Sequence, residues 1–245
     1  MKTPRKELKF IVGDATLLDV RCRISGIMSL DKHQSGDHYK VRSVYLDDSS
    51  RSCYRENAAG VSPRQKYRIR TYNCADDAIS AEIKTNYRNT TSKINTLISR
   101  DVFEAVISDD TYKASKALLG TIEKCSEAGD ETGKRILEDY LSVLTTRHYK
   151  PACIVDYERC AFEYPVGNVR ITLDRNVTAS NEYSRMFDTN LTGRCALWGN
   201  RHILEIKYDE FLPDEIRSLL SGCGLIRQTC SKYILSINAL TQTEA

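Results

Sequence analysis

The sequence predicts an α+β fold in which an antiparallel sheet closes around a charged interior. Three observations carry this. Charged residues recur with period two in strand-like segments. Helix-like spacing is confined to the middle and to short stretches near the ends. The acidic charge sits in that helical middle and the basic charge in the strands.

The clearest strand is Gln65-Lys66-Tyr67-Arg68-Ile69-Arg70-Thr71-Tyr72. Successive side chains of a strand point to opposite faces. Lys66, Arg68 and Arg70 therefore share one face, and Tyr67, Ile69 and Thr71 the other. The same alternation appears in Arg5-x-Glu7-x-Lys9, Glu82-x-Lys84, Arg170-x-Thr172-x-Asp174 and Glu205-x-Lys207. For one strand alone, an antiparallel sheet with a wet face explains the pattern as well. Five cation-rich strands with few acids favour a closed sheet lined by Lys and Arg.

In chain order, Asp14 reads as the N-cap of a helix over 15–28, with Leu17, Leu18, Cys22 and Ile24 as its apolar stripe. Residues 39–47 read as a strand, with Tyr39, Val41, Ser43 and Tyr45 on one face, and 47–50 as a turn. Strands follow at 65–72 and 79–85, then helices at 101–107, 110–119 and 133–144, punctuated by Gly120 and Gly129. Strands return at 152–159, 168–177 and 202–208. Pro213-Asp214-Glu215 opens a helix, and the last helix covers 232–240. The chain, 1–245, reads as one domain.

The formal net charge is +3, too small for a nucleic-acid coat. From Asp101 to Tyr140 there are ten acids and five bases, a net of −5, so the remainder carries +3 − (−5) = +8. No nucleic-acid partner is expected, because no aromatic residues interleave with exposed bases. No stretch approaches the roughly 20 apolar residues of a membrane span. The basic N-terminus lacks a following apolar run, so no signal peptide is read there. Nine cysteines without a C-x-x-C pair point to reduced thiols and a cytoplasmic protein. There is no P-loop, the four histidines are scattered, and Trp198 and the strand tyrosines read as packing residues.

Cations crowded on an interior face cost several kcal/mol each, on the order of magnitude found for buried unpaired ions, unless an anion joins them. A triphosphate or polyphosphate chain supplies that anion, and arginine forks grip its oxygens bidentately. A glutamate beside phosphate calls for a bridging Mn2+ or Mg2+. Glu205 is the first metal candidate, with Glu7 and Glu82 behind it. For Glu82 an internal salt bridge is an equal alternative.

Taken together and in order, these segments resemble the VTC domain, the polyphosphate polymerase module within the triphosphate tunnel metalloenzymes. The resemblance rests on Arg5-x-Glu7-x-Lys9-Phe10, Tyr39-x-Val41-x-Ser43-x-Tyr45-x-Asp47, Lys66-Tyr67-Arg68-Ile69-Arg70-x-Tyr72 and Glu82-Ile83-Lys84. It continues through Tyr157-Glu158-Arg159-x-Ala161-Phe162, Arg170-x-Thr172-x-Asp174, Leu204-Glu205-Ile206-Lys207-Tyr208 and Ser231-Lys232-Tyr233. It implies a closed eight-stranded antiparallel tunnel with flanking helices. It also implies transfer of the terminal phosphate of ATP, a nucleoside triphosphate, to a growing polyphosphate chain. On this reading Arg68, Arg70, Lys84, Arg159 and Lys207 are catalytic. Arg5, Lys9, Lys66, Lys93, Arg170 and Lys232 bind phosphate, and Glu205 and Glu7 hold the metal. The nearest cation before Ser231 is Arg227, where family polymerases carry a base closer by. Hydrolysis of a triphosphate or polyphosphate, or polyphosphate binding without catalysis, are the alternatives.

Overall fold

The computed structural model describes residues 5–34, 36–88 and 90–242. The basic start Met1-Lys2-Thr3-Pro4 lies outside the described residues. Among the described residues there are ten strands: β1 (Lys6–Gly13), β2 (Ser29–Leu30), β3 (Tyr39–Asp47), β4 (Arg64–Tyr72), β5 (Ile79–Tyr87), β6 (Thr90–Ile98), β7 (Lys150–Tyr164), β8 (Val169–Ser180), β9 (Arg194–Cys195) and β10 (Arg201–Tyr208). The helices are α1 (Asp14–Ile24), α2 (Ser52–Ala58), α3 (Arg100–Ile107), α4 (Thr111–Glu127), α5 (Glu131–Thr146), α6 (Asp214–Leu220) and α7 (Lys232–Thr241). Among the described residues, no helix is long and apolar enough to cross a membrane.

Eight strands form one curled antiparallel sheet in the order β1-β10-β8-β7-β3-β4-β5-β6, with β2 added beside β7 and β9 beside β8. The expected closure does not occur: β1 and β6 end the order and do not pair with each other. The edge of β1 is occupied instead by the segment before α7. Arg227 bridges to Phe10, and the Gln228 N–H donates to the Lys9 carbonyl at 2.9 Å. The sheet is therefore an open half-barrel.

The convex face carries most of the core. Outward residues of β4 and β5, including Tyr67, Ile69, Ala81 and Ile83, pack under α3, α4 and α5. Phe10, Leu204, Ile206 and Ile171 pack under α1 and α6. On the concave face, α7 lays Tyr233 and Ile237 against Tyr45, Val155 and Tyr157. It covers one end of the concavity, and its first residue, Lys232, reaches into the charged part.

Several elements differ from the sequence reading. Asp14 is the first residue of α1 rather than its cap, and its carboxylate meets His202 Nε2 at 2.6 Å. The buried stripe is Leu17, Val20 and Ile24, while Leu18 is exposed. Gly120 does not end α4, because Ala114, Leu118 and Ile122 continue one buried face through it. Trp198 is 73% exposed and Tyr72 is 41% exposed, so neither is a core residue. All nine cysteines are free thiols.

Two glycines separate propensity from packing. A Cβ on Gly120 would meet nothing within 4 Å. Gly120→Ala is expected to raise stability by about 0.5–1 kcal/mol through helix propensity. A Cβ on Gly133 would fall on the Asp130 carboxylate, which caps α5 by accepting from Gly133 N at 2.9 Å, and 2.9 Å from Thr96 Oγ1. Gly133→Ala is expected to cost about 1 kcal/mol, the worth of a lost cap. Urea-denaturation midpoints moving in opposite directions check both.

Candidate active site

Period-two alternation brings side chains from seven strands to the charged part of the concave face: Glu7 and Lys9 from β1, Lys66, Arg68 and Arg70 from β4, Glu82 and Lys84 from β5, and Lys93 from β6. Arg159 comes from β7, Asp174 from β8 and Glu205 and Lys207 from β10, while α7 adds Lys232. This set holds nine cations and four carboxylates, a formal excess of five positive charges.

Three ion-pair nodes organise it. Glu82, buried, holds Arg68 at 2.6 Å and Lys93 at 2.8 Å, with Arg70 at 4.0 Å. Asp174, fully buried, takes both Arg159 Nε and NH2, at 2.6 and 2.7 Å, and Lys232 at 2.6 Å. Glu205 takes Lys207 at 3.0 Å and Lys232 at 2.9 Å, with Arg159 at 3.9 Å. Glu7 sits across the open seam within 3.4 Å of Lys9, 3.7 Å of Lys84 and 3.2 Å of Lys207. The Glu7–Lys84 contact joins β1 to β5 through side chains where no backbone ladder does.

These environments fix the protonation states. Burial opposes ionisation of Glu82 and Glu7, yet their cationic neighbours hold both down to about 2. Glu205 and Asp174 are also held below the usual carboxylate range, against burial, by Lys207 and Lys232 for the former and Arg159 and Lys232 for the latter. Lys66 is the opposite case. Burial, and then the Lys84 and Lys9 ammonium groups, push it down to about 7. Among the described residues no carboxylate stands within ion-pair distance of it; its Nζ donates to the Ser231 hydroxyl at 2.9 Å. Burial also lowers Lys84, to about 8, despite Glu7.

Two expected members do not converge. Arg5 points to the rim, where it donates to the Asn168 carbonyl at 2.7 Å and lies 3.8 Å from Asp209. Arg170 is on the concave face in register with Lys207, but Asp31 and Glu163 neutralise it and the Tyr39 hydroxyl takes a further bond. Glu82 takes its salt-bridge alternative. Two further residues, to which the sequence alone assigns no role, belong to the site. Asp174 is the anchor of Arg159 and Lys232. Tyr157 is buried, but its ring lies 5.2 Å from the Arg159 guanidinium and 4.8 Å from Lys232 Nζ, and its hydroxyl accepts from Arg70 at 3.4 Å. The signal was available: period two puts Tyr157 on the face of Arg159.

For a divalent cation the chain offers Glu205 and Glu7. Among the described residues no three His, Cys, Asp or Glu side chains converge to form a full cage. The Lys207 ammonium bridges the two carboxylates, at 3.0 and 3.2 Å, so a cation already stands between them. Two carboxylates completed by phosphate oxygens and water suit Mg2+ or Mn2+.

The VTC domain matches residues 4–241. The chain belongs to the VTC domain family. No curated protein matches the chain significantly. Among solved structures, a putative adenylate cyclase from Bacillus halodurans has a TM-score of 0.50 at 11% identity, covering 94% of both chains. That likeness is one of fold. The PH1819 protein from Pyrococcus horikoshii OT3 aligns over 96% of this chain and 98% of its own at 14% identity, with a TM-score of 0.48.

Lys66 gives the VTC domain a pH signature. Its folded value, about 7, is below the unfolded one, so between pH 7 and the ordinary lysine range the unfolded chain binds more protons. This group therefore adds stability to the ligand-free fold as pH rises through that window. A polyanion favours the charged form, so tripolyphosphate binding at pH 8 is expected to take up protons and to weaken as pH rises above 7. Lys66→Met is expected to stabilise the free protein, weaken binding and remove that extra proton uptake. Calorimetry in buffers of different ionisation enthalpy measures the uptake; an unchanged proton count in the variant overturns the assignment.

Proposed function

We propose that this VTC domain is a cytoplasmic, metal-dependent polyphosphate polymerase that moves the terminal phosphate of ATP onto a polyphosphate chain. The observation that carries the reading is the excess of cations, nine against four carboxylates, on a concave face open along one side. Lys9, Lys66, Lys93 and Lys232 would hold the polyanion. Arg68, Arg70, Lys84, Arg159 and Lys207 would neutralise the transferring phosphoryl group and keep donor and acceptor in line. A terminal oxygen of the acceptor chain attacks the γ-phosphorus, the bond to the β–γ bridging oxygen breaks, and ADP leaves with that oxygen. Glu205 and Glu7 would hold Mn2+ or Mg2+, which when bound neutralises phosphate oxygens as a Lewis acid. Arg5 and Arg170, neutralised by local acids, would act only as rim contacts.

Hydrolysis is the second reading, because water could take the place of the acceptor chain on the same cationic face. The two differ only in the acceptor.

Incubation with ATP and Mn2+ separates them: a ladder of polyphosphates is expected, free phosphate would mark a hydrolase, and no turnover a binding module. Glu205→Gln is expected to lower turnover on the order of 100-fold, the scale for losing one charge-stabilising group. Metal-free affinity for tripolyphosphate should hold or rise, because one repulsive charge is gone. Full turnover in the variant removes Glu205 from the metal site.

A further inference from the structure

The sheet leaves one long edge bare. β6 pairs with β5 on one side, and no strand among the described residues pairs with its other side. It is nine residues long and largely exposed, with no proline and with Lys93 as its single charge. Proteins usually blunt such an edge with charge, proline or a bulge, because its free N–H and C=O groups template another strand. The opposite edge, on β1, is already covered by Arg227 and Gln228.

A groove of about 500 Å³ runs beside this edge, between Ile94 and the face of α5 that bears Glu131, Lys134, Arg135 and Glu138. A bare strand next to a helix face is a geometry in which extended peptides add as an extra strand. The two faces of an added strand would meet different chemistry. On the concave side Lys66, Lys84 and Lys93 stand in register across β4, β5 and β6, and the next position in that row adjoins Lys93, which is exposed while its ammonium meets Glu82 at 2.8 Å. On the convex side the adjacent row is apolar: Tyr67, Ile83 and Ile94. Opposite charges and apolar pairs directly across a ladder stabilise, and like charges destabilise.

We propose that the outer edge of β6 docks an extended segment of a partner protein in which acidic and apolar residues alternate, an acid opposite Lys93 and an apolar residue opposite Ile94. A second copy fits less well. Self-pairing centred on Lys93 sets like charges opposite each other, and self-pairing centred on Ile94 offers the lysine row no acid.

The test uses two synthetic peptides of equal composition, one alternating Glu and Val, the other with all Glu before all Val. Binding is read by fluorescence anisotropy, and amide hydrogen exchange is followed over residues 90–98. The alternating peptide is expected to bind about tenfold tighter than the block peptide, the sum of a few cross-strand pairs, and to slow exchange in 90–98. Ile94→Asp is expected to remove that preference. The peptide pair and the exchange are read on the unmodified protein, so the result stands even if the variant folds poorly. Equal binding of both peptides overturns the proposal, since charge alone then draws them to the concave face. So does unchanged exchange in 90–98. Slow exchange there in the peptide-free protein, rising with protein concentration, also overturns it and names a second copy as the occupant.

Discussion

Like charges crowded on one half-buried sheet face are the constraint that shapes the rest of the molecule. Each carboxylate in the concavity serves two or three cations: Glu82 holds Arg68 and Lys93, Asp174 holds Arg159 and Lys232, and Glu205 holds Lys207 and Lys232. Such pairs offset desolvation without adding much stability. The charged part of the concave face therefore cannot hold the fold together. The convex face does so, and the same residue runs build both. In β4 the cations turn inward, while Tyr67, Ile69 and Thr71, all nearly inaccessible, turn outward.

Helix α7 carries this constraint to the end of the concavity. Tyr233 stacks on Tyr45 with ring centroids 4.9 Å apart, and its hydroxyl donates to the buried Asp47 at 2.5 Å. Asp47 also accepts from the N–H groups of Cys53 and Tyr54, so one carboxylate ties the start of α2 to α7. Tyr54 adds a bond to Asn238 at 2.7 Å. The register so fixed places Lys232 between Asp174 and Glu205. It also turns Ser231 toward Lys66, which is why that serine does not cap its own helix.

Much of this was legible because strand periodicity is rigid. Once Lys66, Arg68 and Arg70 were placed on one face, the pairing of β4 with β5 brought Glu82 and Lys84 beside them. The open seam was not legible, because it depends on Arg227 and Gln228 reaching the β1 edge from far along the chain. The strand β6 was hidden by its Thr, Ser and Asn, whose polarity reads as loop when one edge and much of one face are exposed. Gly120 misled because the buried face of α4 outweighs the cost of one helical glycine. Arg5 misled because alternation assigns a face, whereas the rim acid Asp209 decides where its guanidinium points.

The seam also bears on how ligands would be coupled. Lys207 is shared between Glu7 and Glu205, and Glu7 in turn reaches Lys9 and Lys84. On the proposed reading, a divalent cation taken by the two carboxylates would compete with those lysines and release them toward phosphate. A polyanion would draw the same lysines away and leave the carboxylates free for the metal. Each ligand would then raise the affinity for the other by the same factor, as linkage requires. Among the described residues Lys66 has no carboxylate partner, but burial and the Lys84 and Lys9 ammonium groups depress it, so on the same reading a polyanion that neutralises those two lysines would also favour its charged form.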